Sequence, residues 1–160
     1  MPIKKIIPMR VKLLSPNAKV PTRSSNGAAG YDLYADNIKE VCDDFPSNNR
    51  ILLFPGQTLK VGTGIAIELP KCTFGAIYAR SSLGVNHGIA PSNCVGIVDE
   101  DYRGEIVVAL HNHSNSVFIF DYGDRIAQLV IQPYIAADIS IVDNLSDTER
   151  GNGGFGSTGK

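Results

Sequence analysis

Apolar residues recur along this chain in short alternating runs rather than in helical stripes. The clearest follows Pro55-Gly56, where Leu59, Val61, Ile65, Ile67 and Leu69 keep to odd positions and Lys60, Gly62, Gly64 and Glu68 lie between them. A period of two predicts a β-strand with one buried face. Similar runs over Ile6–Leu14, Gly27–Ala35, Phe74–Ala79, Glu105–His111, Val117–Phe120 and Arg125–Pro133 are bounded by Gly, Pro, Asn and Asp, residues suited to turns. No long amphipathic helix is predicted, and Ser82–Asn86 allows one turn. Asp36–Arg50 is polar, with Cys42 and Phe45 as its apolar anchors, and reads as a surface loop or hairpin excursion. Gly96-Ile97-Val98-Asp99, a turn and Tyr102-Arg103-Gly104 read as the two arms of a hairpin. Runs this short cannot bury an apolar face singly, so the pattern predicts an all-β, jelly-roll-like barrel or sandwich.

Composition narrows the picture. At 160 residues and 43% hydrophobic, the chain suits one cored domain, read here as residues 1–149, with the glycine-rich residues 150–160 as a mobile tail. A net charge of −1 offers no basic field for nucleic acid or a membrane surface, so any polyanion must be held locally. The opening MPIKKIIPMRVKLL lacks an apolar run long enough for a signal peptide or a span. Cys42, Cys72 and Cys94 are odd in number and widely spaced, which argues against a disulfide scaffold or structural zinc. They read as reduced thiols, and the expected compartment is cytoplasmic, or nuclear or host-cell for a eukaryotic or viral chain.

Candidate chemistry sits where polar residues interrupt these patterns. Asp99 closes the apolar pair Ile97-Val98, an unfavourable place for a carboxylate unless a backbone amide, a water or a ligand partners it; a simple turn aspartate is the other reading. Upstream, Arg80-Ser81-Ser82 sets a guanidinium fork beside two hydroxyls, the donor set that holds phosphate oxygens. Asp32 follows the small residues Ala28, Ala29 and Gly30, which would let another segment approach closely, and suits a structural hydrogen bond as well as a functional role. Gln128 lies on the face opposite Ala127 and Leu129, where phosphate, water or backbone could satisfy its amide. His87, His111 and His113 show no nucleophile-base-carboxylate spacing, and nothing beside Cys94 would activate its thiol. The tail from Arg150 matches GxGxxG and most of a P-loop, but both motifs need a strand before and a helix after. Its Arg150, unhindered amides, Ser157, Thr158 and Phe155 instead suit a lid over a nucleoside polyphosphate.

The segments GAAGYDL, ARSSLG, GIVDEDYRGE, GDRIAQLV and RGNGGFGSTG, in this order and along nearly the whole chain, resemble the five motifs of the homotrimeric deoxyuridine triphosphatases. That resemblance implies a jelly-roll subunit, a homotrimer with sites at subunit interfaces, and hydrolysis of dUTP to dUMP and pyrophosphate with Mg²⁺. It implies a role in limiting uracil in DNA and supplying dUMP for dTTP synthesis. Uracil and deoxyribose would lie on the hairpin from Asn93 to Tyr102, including Gly96 and Val98. Asp99 is implied to hold the attacking water, Arg80, Ser81, Ser82 and Gln128 to contact phosphate, and Asp32 to support the metal-triphosphate region. The triphosphate and waters would carry most of the Mg²⁺ coordination. Arg150, Phe155, Gly156, Ser157 and Thr158 would close over the substrate. The related dCTP deaminases carry a glutamate base about ten residues past the hairpin aspartate; this chain has Ala109 there. A non-catalytic nucleotide sensor on the same scaffold is the rival from another class, against which Asp99, Gln128 and the tail stand intact.

Overall fold

The computed structural model describes residues 7–39 and 50–154. In chain order the elements are β1 (Arg10–Leu13), β2 (Tyr31–Tyr34), β3 (Asn37–Ile38), β4 (Arg50–Leu53), β5 (Thr58–Gly62), β6 (Ile65–Glu68), β7 (Thr73–Tyr78), α1 (Ser81–His87), β8 (Ile89–Pro91), β9 (Gly96–Val98), β10 (Val107–Asn112), β11 (Phe118–Asp121) and β12 (Arg125–Pro133). Two four-stranded sheets, ordered β3-β5-β10-β8 and β2-β12-β7-β9, carry most of the pairing, with two-stranded ladders β1-β6 and β4-β11. All of these ladders are antiparallel. Leu33, Ile77 and Leu129 from one large sheet and Val61, Val108 and Leu110 from the other meet in a single apolar core. The fold is the jelly-roll-like all-β architecture that the alternation predicts.

The run from Leu59 to Leu69 is two strands, not one. Gly64, at φ 67°, turns the chain from the β10 side, where Val61 faces Val108, to the β1 ladder, where Ile67 faces Val11. The alternation survives the turn because buried Thr63 takes the inward position and donates its hydroxyl to the Ile106 carbonyl at 2.7 Å. A period of two reports which face is buried and is silent on which strand is the partner.

Three other expectations are revised. The first strand covers only Arg10–Leu13. The helix spans seven residues, Ser81–His87, and stops at left-handed Gly88, whose N–H bonds to the Leu83 carbonyl, a common glycine cap. Tyr102-Arg103-Gly104 is not a strand, and β9 pairs with β7 instead. The polar atoms of this loop are satisfied locally: the Tyr102 amide donates to the Asp99 carbonyl at 3.2 Å, and Arg103 Nη1 donates to the carbonyls of Glu100 and Tyr102 at 2.7 and 2.9 Å. With those bonds made, no return strand is needed, and the chain resumes as β10 in the other sheet. Within Asp36–Arg50, β3 pairs with β5; Cys42 and Phe45 lie outside the described residues.

Candidate active site

The candidate residues fall into two groups, one at the C-terminal end of β7 and one along β9, which runs beside β7 and carries Asp99 past its other end. At the C-terminal end of β7, Asp32, Gln128 and Tyr78 stand in one row across three strands, through the pairs Asp32↔Gln128 and Gln128↔Tyr78. Arg80 follows two residues past Tyr78 and donates from Nε to Asp32 Oδ1 at 2.8 Å. Arg125 reaches the other carboxylate oxygen, Oδ2, at 3.3 Å. A register shift between Arg125 and Ala127 turns Ile126 and Ala127 both inward, as a bulge does, and leaves the Arg125 side chain half exposed. Asp32 is thus nearly buried, with both oxygens committed to guanidinium groups. That fixes the Arg80 fork, which also reaches the Ser82 hydroxyl at 3.4 Å, while Ser81 and Ser82 are exposed at the start of α1.

Gln128 is half-buried and donates to the Ala79 carbonyl at 2.9 Å, leaving its second N–H for another acceptor. The segment that the small residues before Asp32 admit is this side chain: a Cβ on Gly30 would collide with Gln128 Oε1. A backbone partner therefore satisfies part of the amide, and Gly30 supplies the room.

The second group lies along β9. Asn93, Gly96, Val98, Asp99 and Tyr102 line one cleft of about 360 Å³, floored by Ile77 and Ile106. β9 is an edge strand, so every second residue directs its N–H and C=O away from β7 toward open space. Tyr102 is 46% exposed and donates to the Glu105 carbonyl at 3.0 Å. Its ring lies so close over Gly104 that a Cβ there would strike it. Asp99 is exposed, and its carboxylate has no hydrogen bond or ion pair among the described residues. A larger cleft of about 580 Å³ opens on the other side of Asp99, against Phe74, Glu100 and Tyr134.

The loop that carries Asp99 is held on either side by a carboxylate. Glu100 accepts from Lys71 Nζ at 2.9 Å, from the Cys72 amide at 2.6 Å and from the Tyr134 hydroxyl at 3.2 Å. The bond from Lys71, then the one from the Cys72 amide, hold its carboxyl below the usual range. Glu105 accepts from the Gly64 amide at 2.9 Å and Asn37 Nδ2 at 3.1 Å, and pairs with Lys39. Burial alone would raise its pKa; the bonds from Lys39, Asn37 and the Gly64 amide outweigh burial and lower it.

Asp99 and Arg80 do not meet within one chain. Val98 faces Gly75, so Asp99 continues opposite Phe74, six residues from Arg80; at about 3.3 Å per residue that is roughly 20 Å. Arg150 is exposed, beyond the segment 134–149, and bonds to neither group. Phe155, Gly156, Ser157 and Thr158 lie outside the described residues. Arg125, Glu100 and Glu105 are the members that the pattern of the sequence did not single out. Among the described residues no three His, Cys, Asp or Glu side chains converge as metal ligands.

Comparison with known proteins identifies the family. The family model described as dUTPase matches residues 16–159. The deoxyuridine 5'-triphosphate nucleotidohydrolase of Candida albicans is 47% identical over 154 residues, covering 95% of this chain and 88% of that protein. The Anaeromyxobacter enzyme of the same name is 42% identical over 151 residues, covering 94% and 95%. Among solved structures, a variant of the Staphylococcus bacteriophage 80alpha dUTPase with dUpNHpp superimposes with a TM-score of 0.80 at 25% identity, covering 96% of this chain and 99% of that one. With its five ordered motifs on a jelly-roll-like scaffold, the chain belongs to the dUTPase family, the nucleotidohydrolases of deoxyuridine 5'-triphosphate.

Proposed function

We propose that the chain hydrolyses dUTP to dUMP and pyrophosphate by direct in-line attack of a water held by Asp99 on the α-phosphorus. The observation that carries this reading is the free edge of β9 leading into an exposed carboxylate with no partner among the described residues, at the mouth of the same cleft. An outward-facing strand edge can pair with the edge of uracil, and close packing there excludes a 5-methyl group. The Tyr102 ring, packed close against Gly104, would guard the sugar against a 2′-hydroxyl. Arg80, Ser81, Ser82 and the free N–H of Gln128 would hold phosphate oxygens, with Asp32 fixing Arg80 before substrate arrives. Magnesium fits this site as an ion that the triphosphate brings, since both Asp32 oxygens are engaged by arginines; it would neutralise charge on the phosphate oxygens. The reaction needs no covalent nucleophile.

A water on Asp99 and the Arg80 fork must converge within a few ångströms on one phosphate, whereas one chain holds them roughly 20 Å apart by strand register. We infer that a second copy completes the site, in a homotrimer. The arm after β12 supports this: Ile135, Ile139, Ile141 and Leu145 are 94%, 89%, 100% and 86% exposed, and burying each on a neighbouring chain would contribute about 1.5–3 kcal/mol. The arm would bring Arg150 and the tail, with Phe155, Gly156, Ser157 and Thr158, over the substrate. In the cell, a cytoplasmic enzyme of this kind would limit uracil in DNA and supply dUMP for dTTP synthesis.

Pyrophosphate release measured with dUTP, dCTP, dTTP and UTP tests the reading. Turnover of dUTP alone is expected, and Tyr102→Ala should relax rejection of UTP more than that of dTTP. Equal relaxation would place the sugar gate elsewhere, and no release from dUTP would leave the sensor reading in its place.

A further inference from the structure

We infer that Glu100 is a positioning residue for Asp99, acting through its bond to the Cys72 amide; this rests on the reading of Asp99 as the water-holding carboxylate. Within residues 99–103 most polar contacts are local, and the Asp99 carboxylate is unbonded among the described residues. The direction of its side chain is therefore set by how the loop is tied to the rest of the fold. Glu100 makes the long-range tie. Its Oε2 accepts from the Cys72 amide at 2.6 Å, across 28 positions of sequence, and from the Tyr134 hydroxyl at 3.2 Å.

Cys72 holds a left-handed backbone at φ 59°, a conformation that costs a side-chain-bearing residue free energy. In the turn between β6 and β7 this aims its N–H at Glu100. Tyr134 closes the third side: its amide donates to the Cys72 carbonyl at 3.2 Å, so one carboxylate joins the Asp99 loop, the β6–β7 turn and the root of the C-terminal arm. Lys71 adds an ion pair from a side chain that is 89% exposed, a kind of contact that contributes little. The neutral reach of the acceptor, not its charge, is what the geometry requires.

Three variants separate these roles, read by single-turnover hydrolysis of dUTP with thermal melting alongside. Glu100→Gln keeps the chain length and one carbonyl acceptor for the Cys72 amide, and should retain the hydrolysis rate within about 3-fold. Glu100→Asp keeps the charge but withdraws the acceptor by about 1.5 Å, and should lower the rate about 10-fold or more with KM changed less than about 3-fold. Lys71→Met should leave the rate unchanged. A wild-type rate for Glu100→Asp, or a loss for Glu100→Gln as deep as that for Glu100→Asp, would overturn the inference. A rate loss in Glu100→Asp matched by an equal rise in KM would also overturn it, because substrate binding rather than water placement would then be affected. Asp99→Asn, run in parallel, keeps the two readings apart: if it turns over normally, the Asp99 reading fails first, and if it is inactive while Glu100→Asp is normal, the positioning role alone fails.

Discussion

At one end of β7 a carboxylate is nearly buried and bonded to two arginines; at the other a carboxylate is exposed and bonded to nothing among the described residues. Asp32 and Asp99 are the same residue type, and their surroundings suit them to opposite uses in the proposed reaction. Asp32 has each oxygen bonded to an arginine, Arg80 or Arg125, and in the proposed reaction it would hold a guanidinium fork in place before substrate arrives. Asp99 has lone pairs free to orient a water and accept its proton. Its loop is held by the neighbouring Glu100 and Glu105, which leaves the carboxylate fixed in position without occupying it. The contrast teaches that preorganisation falls on the neighbours of a reacting group when the group itself must stay unpaired.

The largest test of this contrast removes the free carboxylate. Asp99→Asn should lower turnover by roughly two orders of magnitude or more while a non-hydrolysable dUTP analogue binds nearly as well as to wild type. Steady-state rates and calorimetric titration check the two halves of that statement, and retained turnover would take Asp99 out of the chemistry.

The separation of the two ends yields a second test. Asp99→Asn and a truncation after Glu149 should each be inactive, but unfolding and refolding them together should restore activity. In mixed trimers roughly a quarter of sites would draw Asp99 from one chain and the tail from another. No recovery, with mixed trimers seen by native mass spectrometry, would mean that hairpin and tail meet within one chain.

Neutralising the paired carboxylate should have a milder effect. Asp32→Asn leaves Arg80 and Arg125 with a weaker acceptor, and should lower kcat/KM for dUTP about 10-fold and stability by about 1–2 kcal/mol. A loss as deep as that of Asp99→Asn would show that Asp32 does more than hold Arg80.

The smallest effect is on pH dependence. Glu105 has its pKa depressed in the fold, so its contribution to stability is present above the unfolded value near pH 4.3 and is lost as pH falls through the lower folded value. Wild type should melt a few degrees above Glu105→Gln at neutral pH, and the gap should close below about pH 4. A gap that persists in acid would mean that the charge on Glu105 is not what ties the loop to Gly64 and Lys39.

Much of this molecule could be read from one dimension, because strand alternation and residue chemistry are local properties. Arg125–Pro133 matches β12 from end to end, the inward phase of Leu59 to Leu69 holds across a change of sheet, and Asp99 stands out as a carboxylate closing an apolar pair. The required space at Gly30 was legible, though not that Gln128 fills it. Strand partners were not legible, since a period of two is the same whichever neighbour a strand chooses; this is why Tyr102–Gly104 reads as a return strand and folds as a loop. Nor were the ties that hold the site. Arg80 meets Asp32 across 48 positions, Arg125 meets it across 93, and Cys72 meets Glu100 across 28. No periodicity or spacing encodes such pairs, because the packing of the core and the bulge in β12 bring them together only once the sheets have formed. The sequence by itself therefore determined the β-rich class, the ordered motifs of the family and the candidate side chains, and the tertiary structure alone decided which of these are held in pairs, which stay free, and how far apart they stand.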